Sequence, residues 1–258
     1  INAFAAPGGV IGINSGTILN SRNESELAGV MAHEITHVTQ RHMARQFERS
    51  GQFSLARTAA MLGAILLAIA DPQAGAAALA VVTGVSVQTQ INFTRANEEE
   101  ADSIGIQLLA RSGYDPQGMP DFFERLHQKS EYYRGNAPEF LRTHPLTTSR
   151  IAEAKARASR YKPVNYTNTP GYALVKSKLE VNSYKNTKDA VKEFKHRLSI
   201  TPVESNIPVR YGYVLALTNA GSYYLAREQL KALLAGDKDN ITYMLAAAKI
   251  ESEERNYD

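Results

Sequence analysis

Cysteine is absent from the 258 residues. Disulfides, thiolate nucleophiles and cysteine-bound zinc are excluded together, so any metal must be held by His, Asp or Glu. Charge of one sign is missing too: 29 basic side chains face 26 acidic ones, for a net +3. The charges are interspersed in both halves, and neither half carries the basic stripe that a nucleic-acid binder needs. Long pure apolar runs are also lacking. The uncharged run 58–70 is too short to cross a bilayer as a helix, and the run 73–94 is diluted by Gln73, Thr83, Ser86, Gln88, Gln90 and Asn92. The chain opens at Ile1 with no initiator Met and no signal-peptide pattern, which reads as a processed or trimmed product. The absence of cysteine fits the cytosol and an oxidising compartment equally, and leaves the address open.

What is present is globular. A hydrophobic share of 43% with 21% charged residues excludes global disorder, and the length suits one large domain or two ordinary ones. Residues 3–13 read as two short strands around the turn tripeptide Pro7-Gly8-Gly9. A polar start at Ser21–Asn23, with Glu24 and Glu26 behind it, opens a long helix expected over 24–49, because Leu27, Val30, Met31, Ile35 and Val38 recur at three- and four-residue spacing. The two uncharged runs within 58–94 read as a buried or half-buried helical pair, with a flap that touches membrane or covers a cleft as the alternative. Helices follow over 96–112, from near Pro120, and over 147–160. The stretch 161–170, with two prolines and little apolar content, reads as a linker.

Beyond it three registers line up, starting near Gly171, Ile207 and Ile241, at spacings close to those of tetratricopeptide repeats. Ala190 and Phe194 sit at the small and large packing positions of the first unit. Ala226 and Leu230 sit at the same offsets in the second, while the third is cut off at Asp258. A plain helical bundle is the alternative.

The chemistry concentrates in His33-Glu34-Ile35-Thr36-His37. On a helix, positions i and i+4 lie about 40° apart and about one turn apart along the axis, so two imidazoles there can converge on one ion. Glu34 is then placed to reach a water on that ion. His42, five residues past His37, falls off that face and reads as a surface or packing residue; His127 and His196 have no motif around them. Two His do not complete a site, and the third ligand must be an acid from elsewhere. Glu98-Glu99-Glu100-Ala101-Asp102 opens a later helix, where acids also suit a helix start. Glu98 and Asp102 share a face, so Glu98 can bind the ion while Asp102 holds a ligand imidazole by its ring N–H.

Four segments, AFAAPGGVIGINSG, LAGVMAHEITHV, NEEEADSIGIQLLARSGYDP and LRTHPLTTSRI, together resemble the periplasmic BepA-type zinc metallopeptidases. These are gluzincins related to HtpX and the CAAX-processing proteases. The resemblance implies a mainly α architecture: a zincin-like α+β protease domain over 1–160 with a small edge sheet, the linker at 161–170, and tetratricopeptide-like helical repeats over 171–258. It implies one zinc per chain on His33, His37 and Glu98, Glu34 as general base, and Asp102 as the acid behind a ligand. It also implies that His144 and Arg150 sit at the cleft with catalytic roles. His144 can serve as oxyanion donor or as a fourth ligand that leaves the enzyme latent.

The expected activity is zinc-dependent cleavage of unfolded or extended polypeptides, stalled outer-membrane proteins among them, in the periplasm. The repeats are expected to hold client or assembly machinery, and residues 58–94 to offer a peripheral membrane contact. The rival is a repeat-based chaperone or adaptor whose zinc site is latent or regulatory.

Overall fold

The computed structural model describes residues 1–6, 8–132 and 138–254, leaving aside the side chains of 49–56, 69–70, 85–93, 132 and 204. Pro7 and the last residues of the third repeat register lie outside the described residues. The chain divides into two compact units, Ile1–Tyr166 and the part from Thr167 onward.

The first unit begins with an antiparallel hairpin of β1 (Ala3–Ala6) and β2 (Val10–Ile13), in register Ala3 to Ile13 and Ala6 to Val10. Gly8 and Gly9 turn it at φ +87° and +83°, a region that glycine alone enters freely. A short helix α1 (Ser15–Asn20) follows. The buried hydroxyl of its Thr17 donates to the Asn2 carbonyl and accepts from the Asn2 amide, tying the helix to the first strand.

Helix α2 (Glu24–Thr39) starts with a reciprocal cap. Asn23 Oδ1 accepts from the Glu26 amide at 2.9 Å, and Glu26 Oε2 accepts from the Arg22 amide at 2.6 Å. The helix expected to run to 49 stops here. Gln40 leaves it, Arg41 takes the left-handed conformation at φ +54°, and α3 (His42–Ala70) restarts in a new direction. Asp71 then caps α4 (Pro72–Arg111), accepting from the amides of Gln73 and Ala74 with Pro72 in the first turn. The separate helix expected at 96–112 is the end of this 40-residue helix. Nothing between 73 and 95 breaks it.

The helical pair expected across 58–94 is present, but its burial is not. Leu66 is 68% exposed, and Leu62, Ile65 and Val81 are also exposed, so on the described residues the buried reading gives way to an open apolar surface. No described helix is long and apolar enough to cross a membrane.

Three more helices close the unit: α5 (Gly118–Tyr132), α6 (Glu139–Thr143) and α7 (Thr148–Ala158). Val30, Ile106, Phe122, Phe123, Phe140 and Ala154 form the centre of the core. Helix α2 meets α5 at backbone distance: a Cβ on Gly29 would stand 2.9 Å from Met119 Cα. That close seat fixes the helix carrying His33 and His37.

The second unit alternates helices α8 (Pro170–Ser183), α9 (Thr187–Ile200), α10 (Ile207–Asn219), α11 (Tyr223–Gly236) and α12 (Ile241–Glu254). Ala190, Phe194, Ala226 and Leu230 are all buried in its core, where Phe194 packs so tightly on Gly212 that a Cβ there would be 2.1 Å from its ring. The mainly helical class with a small sheet, which the resemblance implies, is what the described residues adopt.

Candidate metal centre

Three segments distant in sequence deliver the site. Helix α2 carries His33, Glu34 and His37; α4 carries Glu98 and Asp102; and the turn between α6 and α7 carries His144, with Arg150 in the first turn of α7. Thr147 caps α7 by accepting from the Arg150 amide, and the His144 amide donates to the Phe140 carbonyl at 2.7 Å. The His144 ring stacks on Phe140 at 4.7 Å.

The donor atoms converge. His33 Nε2 lies 2.9 Å from His37 Nε2 and 3.3 Å from His144 Nδ1. Glu98 places Oε1 3.4 Å from His37 Nε2, Oε2 3.4 Å from His33 Nε2, and both oxygens 3.1 Å from His144 Nδ1. One ligand atom from each of these four side chains lies within 4.8 Å of the others. Crowding lone pairs in a water-poor interior is unfavourable unless a cation or a shared proton sits among them. The same demand shows in the titration. Burial works against charge on His33, but Asp102 and Glu98 outweigh it and push the imidazole up to about 10. Burial works against ionising Glu98 as well, yet His144, His33 and His37 hold it well below the usual carboxylate range. The cluster is built for positive charge, and a three-imidazole, one-carboxylate set suits a divalent metal of the zinc class.

Glu34 is 1% exposed, and neither of its carboxylate oxygens meets a well-formed hydrogen bond among the described residues, although the Ala5 backbone lies close enough to favour its charge. His144 Nε2 lies 3.5 Å from Glu34 Oε1. Burial raises its pKa, against the pull of His144 and His33. A buried carboxylate that is poorly hydrogen-bonded among the described residues, beside a cation-demanding cluster, is placed to accept a proton.

Behind the ligands, Asp102 Oδ1 lies 3.0 Å from His33 Nδ1. Arg150, expected at the cleft, lines a cavity beside Glu98 and is 4% exposed, with its donors committed to the protein. Nε and one terminal nitrogen hold Asp102 at 2.9 Å each, and the other terminal nitrogen reaches the Pro145 carbonyl at 2.8 Å and Glu98 at 3.0 Å. His42 departs furthest from the reading of its position. It is 3% exposed, its Nδ1 lies 2.7 Å from His37 Nδ1, and its Nε2 lies 3.2 Å from Glu100. Burial and the neighbouring His37 push it down to about 4. The sequence signal for it is weak: His42 comes onto the back of His37 only because the helix breaks at Arg41. His127 is half-buried near Glu131, and His196 is exposed on α9; neither joins the cluster.

The model of peptidase family M48 matches residues 1–158. The chain belongs to that family. M48 peptidases are metal-dependent, and the His33, His37, Glu98 and His144 cluster can bind a metal. The chain is 41% identical over 244 residues to the beta-barrel assembly-enhancing protease of Yersinia pestis, covering 95% of this chain and 50% of that protein. It is 42% identical over 255 residues to the protein of the same name from Escherichia coli K12, covering 97% and 51%. Mitochondrial metalloendopeptidase OMA1 of Arabidopsis thaliana is 32% identical over 145 residues, covering 56% of this chain and 27% of that one. The chain spans about half the length of the curated bacterial relatives it matches.

Proposed function

We propose that this M48 chain is a zinc endopeptidase that cleaves extended segments of misfolded or stalled outer-membrane proteins in the periplasm. The observation that carries the reading is the pairing of a four-donor cluster with the buried, poorly hydrogen-bonded Glu34 carboxylate. His33, His37 and Glu98 would hold the zinc, and the closeness of His144 to them supports it as a fourth ligand at rest or as a donor to the oxyanion during cleavage. Bound there, zinc would act as a Lewis acid, lowering the pKa of a water toward about 7 and polarising a peptide carbonyl.

The protein's own groups do the rest. Glu34 takes a proton from the attacking water at a carboxylate oxygen and returns it to the nitrogen of the departing amine. Burial, by raising the Glu34 pKa, makes it a better proton acceptor than a surface carboxylate. Asp102 orients the His33 ring, and Arg150 positions Asp102 and Glu98 without touching substrate. An extended client can add to the edge of the β1–β2 hairpin through backbone hydrogen bonds, which gives little sequence preference.

The name shared by the bacterial relatives supports β-barrel assembly as the setting for the clients. On this reading residues 1–160 are the protease domain, 161–170 a linker, and 171–258 tetratricopeptide-like repeats that bind client or assembly machinery and raise its local concentration. The exposed leucines of α3 support a lid or peripheral membrane contact across residues 58–94.

Glu34→Gln tests the reading. The variant should bind zinc and melt like the wild type, while chelator-sensitive cleavage of casein falls by about 100-fold or more. Cleavage at the wild-type rate contradicts it.

A further inference from the structure

We propose that His42 is a positioning residue for His37, the middle member of a relay from Glu100 through His42 to the metal-facing imidazole. The inference rests on the zinc reading of the cluster and goes beyond it in naming what fixes the second helix ligand.

Proton counting gives the relay one direction. His37 Nε2 faces His33 Nε2 at 2.9 Å and Glu98 at 3.4 Å, so that atom must keep its lone pair for the metal. The His37 proton then sits on Nδ1, whose neighbour at 2.7 Å is His42 Nδ1. Two ring nitrogens at that distance share one proton, so His42 Nδ1 accepts and His42 carries its own proton on Nε2. That N–H points to Glu100 Oε2 at 3.2 Å, and Arg45 holds the same oxygen at 2.7 Å. Every member has one protonation state that satisfies both neighbours. His33 has a shorter version, with Asp102 directly at its Nδ1 at 3.0 Å.

The backbone supports the assignment. Had α2 run on unbroken, His42 would lie about 140° round the axis from His37, facing elsewhere. Arg41 takes the left-handed conformation at φ +54°, disfavoured for a residue with a Cβ, and α3 then begins with His42 turned back against His37. Helix α4 supplies Glu100 two residues beyond Glu98. One helix therefore supplies a first contact to the metal and the far end of the relay.

The test compares zinc release to a chelator from His42→Phe, His42→Asn and His37→Ala, with melting of the zinc-free proteins as a fold control. His42→Phe, which keeps a ring but no acceptor, should bind zinc about 10- to 100-fold more weakly. His42→Asn, whose amide oxygen can accept the His37 proton, should stay within a few-fold of wild type, and His37→Ala should lose stoichiometric zinc. Long-range proton–nitrogen spectra of the zinc-loaded wild type should show His37 protonated at Nδ1 and His42 at Nε2, a readout that needs no variant to fold. Wild-type zinc affinity in His42→Phe alongside loss in His37→Ala, or a His42 protonated at Nδ1, overturns the relay and leaves the metal centre standing. Retention of zinc by His37→Ala overturns both.

Discussion

Arg150 holds both carboxylate oxygens of Asp102 at 2.9 Å, while Asp102 Oδ1 lies 3.0 Å from His33 Nδ1. A cation in the first turn of α7 thus fixes the acid that orients an imidazole of α2. Asp102→Asn keeps the shape but loses the charge, and should weaken zinc binding about 10- to 100-fold with the fold retained. Arg150→Met strands two buried carboxylates, Asp102 and Glu98, and should destabilise the first unit by about 3–5 kcal/mol. Chelator competition reads the first effect and urea denaturation the second. Equal effects of the two variants on stability would contradict the division of roles.

The glycines of the first unit separate close approach from open helix surface. A Cβ on Gly29 meets Met119 at 2.9 Å, whereas one on Gly84 meets nothing within 4 Å. Gly29→Ala should therefore cost about 1–3 kcal/mol by forcing α2 off α5. Gly84→Ala, the same substitution on an exposed face of α4, should gain about 0.5–1 kcal/mol from helix propensity. Urea midpoints of the two variants should move in opposite directions.

Glu26, under the start of the α2 helix, gives a pH dependence away from the metal ligands. Burial raises its carboxyl above the usual range, against the opposing pull of the Arg22 amide and Arg125. A raised folded pKa means that the folded state keeps this proton longer than the unfolded chain. Its contribution to stability is full below the unfolded pKa and is lost as pH rises through the folded one. The stability of the wild type relative to Glu26→Gln should accordingly fall as pH rises from the usual carboxylate value of 4.5 upward. Urea melts of both proteins across that range give the comparison; curves that run parallel, or that diverge the other way, would contradict the burial argument.

Much of the fold was legible because its signals are local. The three- and four-residue recurrence of Val30, Met31 and Val38 marks α2, and the glycines after Pro7 mark the hairpin. The spacing of His33 and His37 places them on one helix face, and the acids at 98–102 open the charged part of α4. What escaped depends on contacts across the chain. The break at Arg41 has no glycine or proline to announce it; its effect is to let His42 reach both His37 and Glu100, 58 residues later. The 40-residue length of α4 is hard to see in the sequence because its first half is uncharged and mostly small, with little contrast between faces to mark a helical period. The uncharged runs within 58–94 read as buried or half-buried because apolar residues usually are, yet Leu62 and Leu66 stand exposed among the described residues.

The central claim is that a single ion is gripped by two imidazoles of α2 together with a carboxylate of α4 some sixty residues downstream. Its most direct test is zinc content per chain after exhaustive dialysis, measured side by side for the wild type and for Glu98→Ala. The account predicts about one zinc per chain in the wild type and almost none in the variant. Full occupancy in Glu98→Ala, or no zinc in the wild type after reconstitution, would contradict it.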